Sequence, residues 1–148
     1  MKKLLLITVL TITTISVQAS NTMVNVLSPF SVEQTTENLE YMLEKKGMTV
    51  FNKVEHSEAA KKIGTEIRDT KLLIFGNPKI GSKLMKCKQS VAIDLPQKFL
   101  IWQDDEGDVF ISYNSPAYLK ERHTIEGCDE VLNKVENALA GITKAATK

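Results

Sequence analysis

The chain has 148 residues, 19 Lys and Arg against 18 Asp and Glu, a formal charge of +1, and 43% hydrophobic residues. So even a charge balance leaves no basic footprint for nucleic acid or for an anionic membrane surface, and the hydrophobic share excludes a disordered chain. The length suits one domain around one core.

Lys2 and Lys3 precede an uncharged, mostly apolar stretch of 13 residues from Leu4 to Ser16, followed by Val17-Gln18-Ala19. A basic start, an apolar middle and a small residue at the end form a secretory leader cut after Ala19. The apolar stretch is too short to span a bilayer, which takes roughly 20 residues. Cleavage takes 19 of the 148 residues, leaves 129, and turns the formal charge from +1 to −1 with the loss of two lysines. The expectation is a periplasmic or secreted protein with no membrane anchor, its single domain spanning residues 20–148.

Taken in order, Thr22 to Leu27 is short, β-branched and apolar, and reads as a first strand ending at Ser28-Pro29. From Ser31 the period becomes helical through Val32, Leu39 and Leu43, with a capping box at Ser31 and Gln34 and a stop at Gly47. Met48 to Val54 alternates as a strand with one covered face. Ser57 then caps a short helix that carries Ala59, Ala60 and Ile63. Leu72 to Phe75 is unbroken apolar and belongs near the middle of a sheet.

Asn77-Pro78 has helix-start chemistry, since Asn accepts from free amides and Pro at the first position has none to waste. A helix from Pro78 to about Lys86 leads to Asp94-Leu95-Pro96, a rigid turn. Lys98–Gln103 and Val109–Tyr113 flank a polar loop containing Gly107, the pattern of an antiparallel hairpin. Pro116 opens a short helix to His123. From Cys128 to about Ile142 a last helix carries Val131, Leu132, Val135, Leu139 and Ile142 on one stripe. The order is that of an α+β fold in which helices cover one face of a single antiparallel sheet. The other face then needs cover, which points to a homodimer or a partner layer.

Cys87 and Cys128 are the two cysteines. In an exported protein they form either a disulfide, adding about 3–4 kcal/mol in the chain-entropy model, or two buried thiols. Neither these cysteines nor His56 and His123 have metal-ligand spacing, and no haem-attachment motif is present. Ser57 and Ser115 lack a nucleophile elbow, and His123 has no legible Ser or Cys partner. Several polar groups fall instead at predicted strand ends, where loops on a rigid scaffold build pockets. His56, Asn77, Asp94, Tyr113 and His123 are the candidate ligand-binding residues, with Trp102 and Tyr118 as aromatic walls. The leading expectation is a small polar ligand held in a cleft at these junctions. Two alternatives stand beside it: a redox or metal- or haem-associated enzyme using His56 and His123 or Cys87 and Cys128, and a dimeric interaction module.

The segments Glu55-His56-Ser57-Glu58-Ala59-Ala60, Phe75-Gly76-Asn77-Pro78, Asp94-Leu95-Pro96, Ser112-Tyr113-Asn114-Ser115-Pro116 and Arg122-His123 together resemble the domain of unknown function family 302. The resemblance covers most of the chain from about Ser31 onward. It implies a TATA-binding-protein-like α+β fold in the order β-α-β-β-β-β-α, and homodimers. It implies no DNA binding, because that fold class hosts unrelated functions, and it supplies no reaction. The positions it carries over as a pocket are His56, Asn77, Pro78, Asp94, Tyr113 and His123.

Overall fold

The computed structural model describes residues 22–148, so the leader read from residues 1–19 lies outside the described residues. Five strands form one antiparallel sheet: β1 (Met23–Ser28), β2 (Thr49–Glu55), β3 (Thr70–Gly76), β4 (Gln97–Gln103) and β5 (Val109–Asn114), in the spatial order β1-β5-β4-β3-β2. The helices are α1 (Val32–Lys45), α2 (His56–Lys62), α3 (Pro78–Cys87), α4 (Pro116–His123) and α5 (Asp129–Ala146), with a 3-10 turn at Gln89–Ile93. The α+β class and the single antiparallel sheet are as the pattern predicts.

Alternation decides which face is covered. Leu73 and Phe75 on β3, Phe99 and Ile101 on β4, and Ile111 and Tyr113 on β5 are buried on the helix side, where α1 contributes Leu39 and Leu43 and α5 contributes Leu139 and Ile142. Burying each such side chain stabilises by about 1.5–3 kcal/mol. Leu72, Ile74, Leu100, Trp102 and Phe110 point the other way and are half-buried. On that face Trp102 Nε1 donates to Ser112 Oγ at 2.8 Å, and Ser112 Oγ donates to Asn25 Oδ1 at 2.6 Å, so the polar groups between the apolar ones are satisfied.

Local chemistry sets most boundaries. Ser31 Oγ accepts from Gln34 N at 3.2 Å to start α1. Gly47, at φ +66°, ends the helix, a conformation that costs glycine nothing. Asp104 Oδ1 accepts from the amides of Glu106 and Asp108, at 3.1 and 2.8 Å, and closes the β4–β5 hairpin. Two boundaries differ from the sequence pattern. Pairing of Glu55 with Lys71 carries β2 one residue further, so α2 begins at His56; Ser57 Oγ does not cap it but accepts from Thr70 N at 3.3 Å. Helix α5 runs past Ile142 to Ala146, because Thr143 and Ala146 are buried and Asn38 Nδ2 donates to the Ala146 carbonyl at 3.0 Å. Small side chains leave no visible stripe in the sequence.

One charge points into the covered face. Lys71, 9% exposed, reaches Glu33 on α1 and lies 3.4 Å from Glu55 on β2. The hydrogen bond from Lys71 holds the Glu33 carboxyl below its ordinary value of 4.5. Burial pulls the Lys71 ammonium down, but the hydrogen bond it donates to Glu33 and the charges of Glu33 and Glu55 outweigh it, so the net direction is up. Because the folded Glu33 value is the lower one, its contribution is present above the unfolded carboxylate range and is lost as pH falls from there through the lower folded value. Lys71→Met keeps the buried stem and removes the charge. Its stability near neutral pH should stay within about 1 kcal/mol of the parent, while urea denaturation repeated at about pH 3.5 should show a smaller acid loss than the parent.

Candidate functional site

Strand polarity sorts the five junction residues. The β2–β3 and β3–β4 registers place Thr49, Gly76 and Gln97 at one end of the sheet and Glu55, Lys71 and Ile101 towards the other. Asn77 and Asp94 flank strands at the first end, Tyr113 is near the end of β5 there, and His123 closes the helix that follows it. His56 follows Glu55 at the second, about 20 Å away along a seven-residue strand, and is exposed. The five residues therefore do not gather around one hollow.

Asp94 and His123 do meet. His123, 7% exposed near the end of α4, places Nε2 at 2.5 Å from Asp94 Oδ2 and Nδ1 at 3.0 Å from Ser90 Oγ. Arg122 Nε lies 3.4 Å from the same Asp94 oxygen. The Arg122 guanidinium also donates to the Tyr118 hydroxyl and lies over its ring; that hydrogen bond and the Asp94 charge push its pKa further up. Sequence spacing leaves His123 without a serine partner; the fold supplies Ser90, 33 residues earlier, because the 3-10 turn sits against α4.

Tyr113 belongs to the core. Its ring meets Phe99 edge-on at 5.6 Å, and burial raises its phenol pKa despite a hydrogen bond with Thr143. Trp102 lies on the opposite sheet face, its ring 5.4 Å from Phe110. Asn77 starts α3, its Oδ1 accepting from Lys79 N at 2.9 Å while its Nδ2 donates to the Gly47 carbonyl at 3.2 Å.

Asn77 also stands at the edge of a cavity of about 520 Å³. Its floor is Phe75 and Gly76 at the end of β3. One wall is α3 (Ile80, Gly81, Leu84, Met85), the other α5 (Val135, Ala138, Leu139), and Ala92, Leu95 and Pro96 close a third side. A side chain at Gly81 would start 3.8 Å from Leu95, in ordinary contact across the cleft. Phe51, lifted at the β2 irregularity between Val50 and Asn52, is half exposed at the mouth, with Lys46 and Lys134 beside it. Against this apolar lining Gln97 is the exception. Its Nε2 is buried and has no hydrogen-bond partner, a condition that costs about 1–3 kcal/mol. The cavity went unread in the sequence because its walls carry ordinary helix stripes.

Cys87 and Cys128 form a disulfide with Cα atoms 6.3 Å apart. It joins the last residue of α3 to the residue before α5, the two helices that wall the cavity. Among the described residues no three His, Cys, Asp or Glu side chains gather to hold a metal ion, and no helix is long and apolar enough to cross a membrane.

An antiparallel five-stranded sheet with helices on one face and an apolar cleft at one strand end defines an α+β small-domain class. Within it, residues 24–142 match the family described as Domain of unknown function DUF302, and the chain belongs to that family. The crystal structure of an uncharacterized conserved DUF302 protein from Bacillus stearothermophilus shares the fold, with a TM-score of 0.79 at 20% identity, covering 87% of this chain and 100% of that one. Two curated relatives are 36% identical over 125 residues, 84% of this chain. One is Fluoride-specific ion channel FluC 1 of Brucella suis biovar 1 (strain 1330), the other Fluoride-specific ion channel FluC 2 of Brucella melitensis biotype 1 (strain ATCC 23456 / CCUG 17765 / NCTC 10094 / 16M). The match takes up 49% and 46% of those proteins, so the chain spans about half the length of the curated relatives it matches.

The disulfide closes a loop of 41 residues, worth about 4 kcal/mol in the chain-entropy model. Cys87→Ser/Cys128→Ser should therefore lower the unfolding free energy by roughly 2–4 kcal/mol, read as a lower urea midpoint with a steeper slope, because the unlinked denatured chain exposes more surface.

Proposed function

We propose that the protein is an exported binding protein whose ligand is a small, mainly apolar molecule carrying at least one acceptor oxygen. The observation that carries the reading is the unbonded Gln97 amide donor in an otherwise apolar cleft. Nε2 is shut off from solvent as it stands, so turning of the Gln97 side chain toward the cleft presents it to a ligand carbonyl or carboxylate oxygen that supplies the missing hydrogen bond, and the apolar body replaces water against Phe75, Leu84 and Leu139. The cavity falls within the range of about 300–1,000 Å³ usual for small-molecule sites. Lys46 and Lys134 at the rim favour an anionic head, although Lys134 is shared with Glu130 at 2.6 Å. Export is supported by the leader pattern in the sequence and by a disulfide, which persists in oxidising compartments.

Displacement of 1-anilinonaphthalene-8-sulfonate fluorescence by medium-chain carboxylates and by hydrocarbons of matching size tests this reading. Ala138→Trp, which fills the cleft, should abolish displacement. Gln97→Leu should weaken carboxylate binding by about 5- to 10-fold, equivalent to about 1–1.4 kcal/mol, and leave hydrocarbon binding unchanged. Equal displacement from parent and Ala138→Trp proteins would remove the cleft from consideration.

The Brucella relatives favour a second reading, because their names describe fluoride-specific ion channels and this chain corresponds to about half of each. In that reading the domain serves beside a channel and supports fluoride tolerance. Deleting its gene should then make cells more sensitive to added sodium fluoride, with tolerance restored by the gene in trans; unchanged growth over a fluoride series counts against it.

A further inference from the structure

Ser90, His123 and Asp94 form a second cluster, drawn in part from the segment that carries the cleft-lining Ala92, Leu95 and Pro96. We propose that it is a nucleophilic centre for acyl esters, with Ser90 as nucleophile, His123 as base and Asp94 as its orienting carboxylate. The hydrogen-bond order carries the assignment. An ionised carboxylate only accepts, so the 2.5 Å contact between Asp94 Oδ2 and His123 Nε2 places the imidazole proton on Nε2. The lone pair is then on Nδ1, which faces Ser90 Oγ at 3.0 Å, so the serine hydroxyl donates to it. Nucleophile to base to orienting acid is the defining chain of such centres, recognised by geometry and not by position in the sequence. Here the two ring nitrogens are exchanged relative to the usual arrangement, which leaves the roles intact.

Burial grades in the sense the chemistry needs. The Asp94 and His123 side chains are 12% and 6% exposed, whereas Ser90 is exposed. A structural role accounts for the buried pair; it does not require an exposed hydroxyl on the remaining nitrogen, which water would serve as well. Ile93 follows Ser90 by one 3-10 turn and is 73% exposed, so the two side chains eclipse and an apolar surface stands beside the hydroxyl. That surface suits the acyl chain of a short ester. As Ser90 Oγ bonds to the ester carbonyl carbon, its proton passes to His123 Nδ1. The carbon–oxygen bond to the leaving alkoxide breaks and the alkoxide takes that proton. Water then attacks the acyl-serine by the same route, releasing the acid and restoring Ser90. Asp94 stabilises the transient imidazolium throughout.

The test uses the disulfide-bonded protein, a fluorophosphonate probe, and p-nitrophenyl acetate and butyrate. The parent should take one probe per chain at Ser90, located by peptide mass spectrometry. Ser90→Ala should lose the label and lower ester hydrolysis by at least about 10-fold, and Asp94→Asn should lower it to a similar degree. Ser90 is exposed, so its alanine variant should keep the parent's circular dichroism and melting temperature, separating loss of chemistry from loss of fold. Hydrolysis equal in parent and Ser90→Ala proteins overturns the proposal, as does probe found on another residue or on none.

Discussion

Three rings in a row hold the sheet to its helices. Phe75, Phe99 and Tyr113 stand on adjacent strands, Phe75 stacked on Phe99 at 4.4 Å and Phe99 meeting Tyr113 edge-on at 5.6 Å. Aromatic pairs of this kind add about 0.5–1.5 kcal/mol each beyond their buried area, and they fix the register on which the rest depends. A slip of one residue in β4 would turn Phe99 and Ile101 outward and bring Leu100 and Trp102 under the helices, breaking the Trp102 link to Ser112. The row also reaches the cleft, whose floor is its first ring. Core packing and cavity shape are therefore one constraint.

The segment from Ser90 to Gln97 is shared by both candidate sites. Its apolar members Ala92, Leu95 and Pro96 face the cleft with Gln97, while Ser90 and Asp94 are bonded to His123 on α4. Cys87, just before it, is tied to Cys128. A short piece of chain held covalently near its start, by hydrogen bonds to His123 in its middle and by strand pairing at its end has little freedom to move. Sites built on such a piece are positioned by the fold without needing closure around a ligand.

Much of the architecture was legible in local chemistry. Ser31, Asn77 and Ser115 cap their helices with their own side chains, and the β4–β5 hairpin follows from its turn residues; each depends on neighbours within a few positions. What was not legible depends on direction and distance. Strand-end residues can be recognised in sequence, but antiparallel strands have junctions at both ends of a sheet, and alternation alone does not say which end His56 shares with which partner. Ser90 meets His123 only through tertiary packing. Likewise Gln97 is distinguished by what it fails to touch, and no pattern in a sequence reports a missing partner.

The disulfide joins α3 at its last residue to α5 just before its first, and the cleft opens along both helices away from that bond. Two rods fastened together at one tip separate most at the other, so breathing of the cavity is greatest at the Asn77 and Leu139 end. Widening of the cavity is thus directional, and the covalent tie sets its direction.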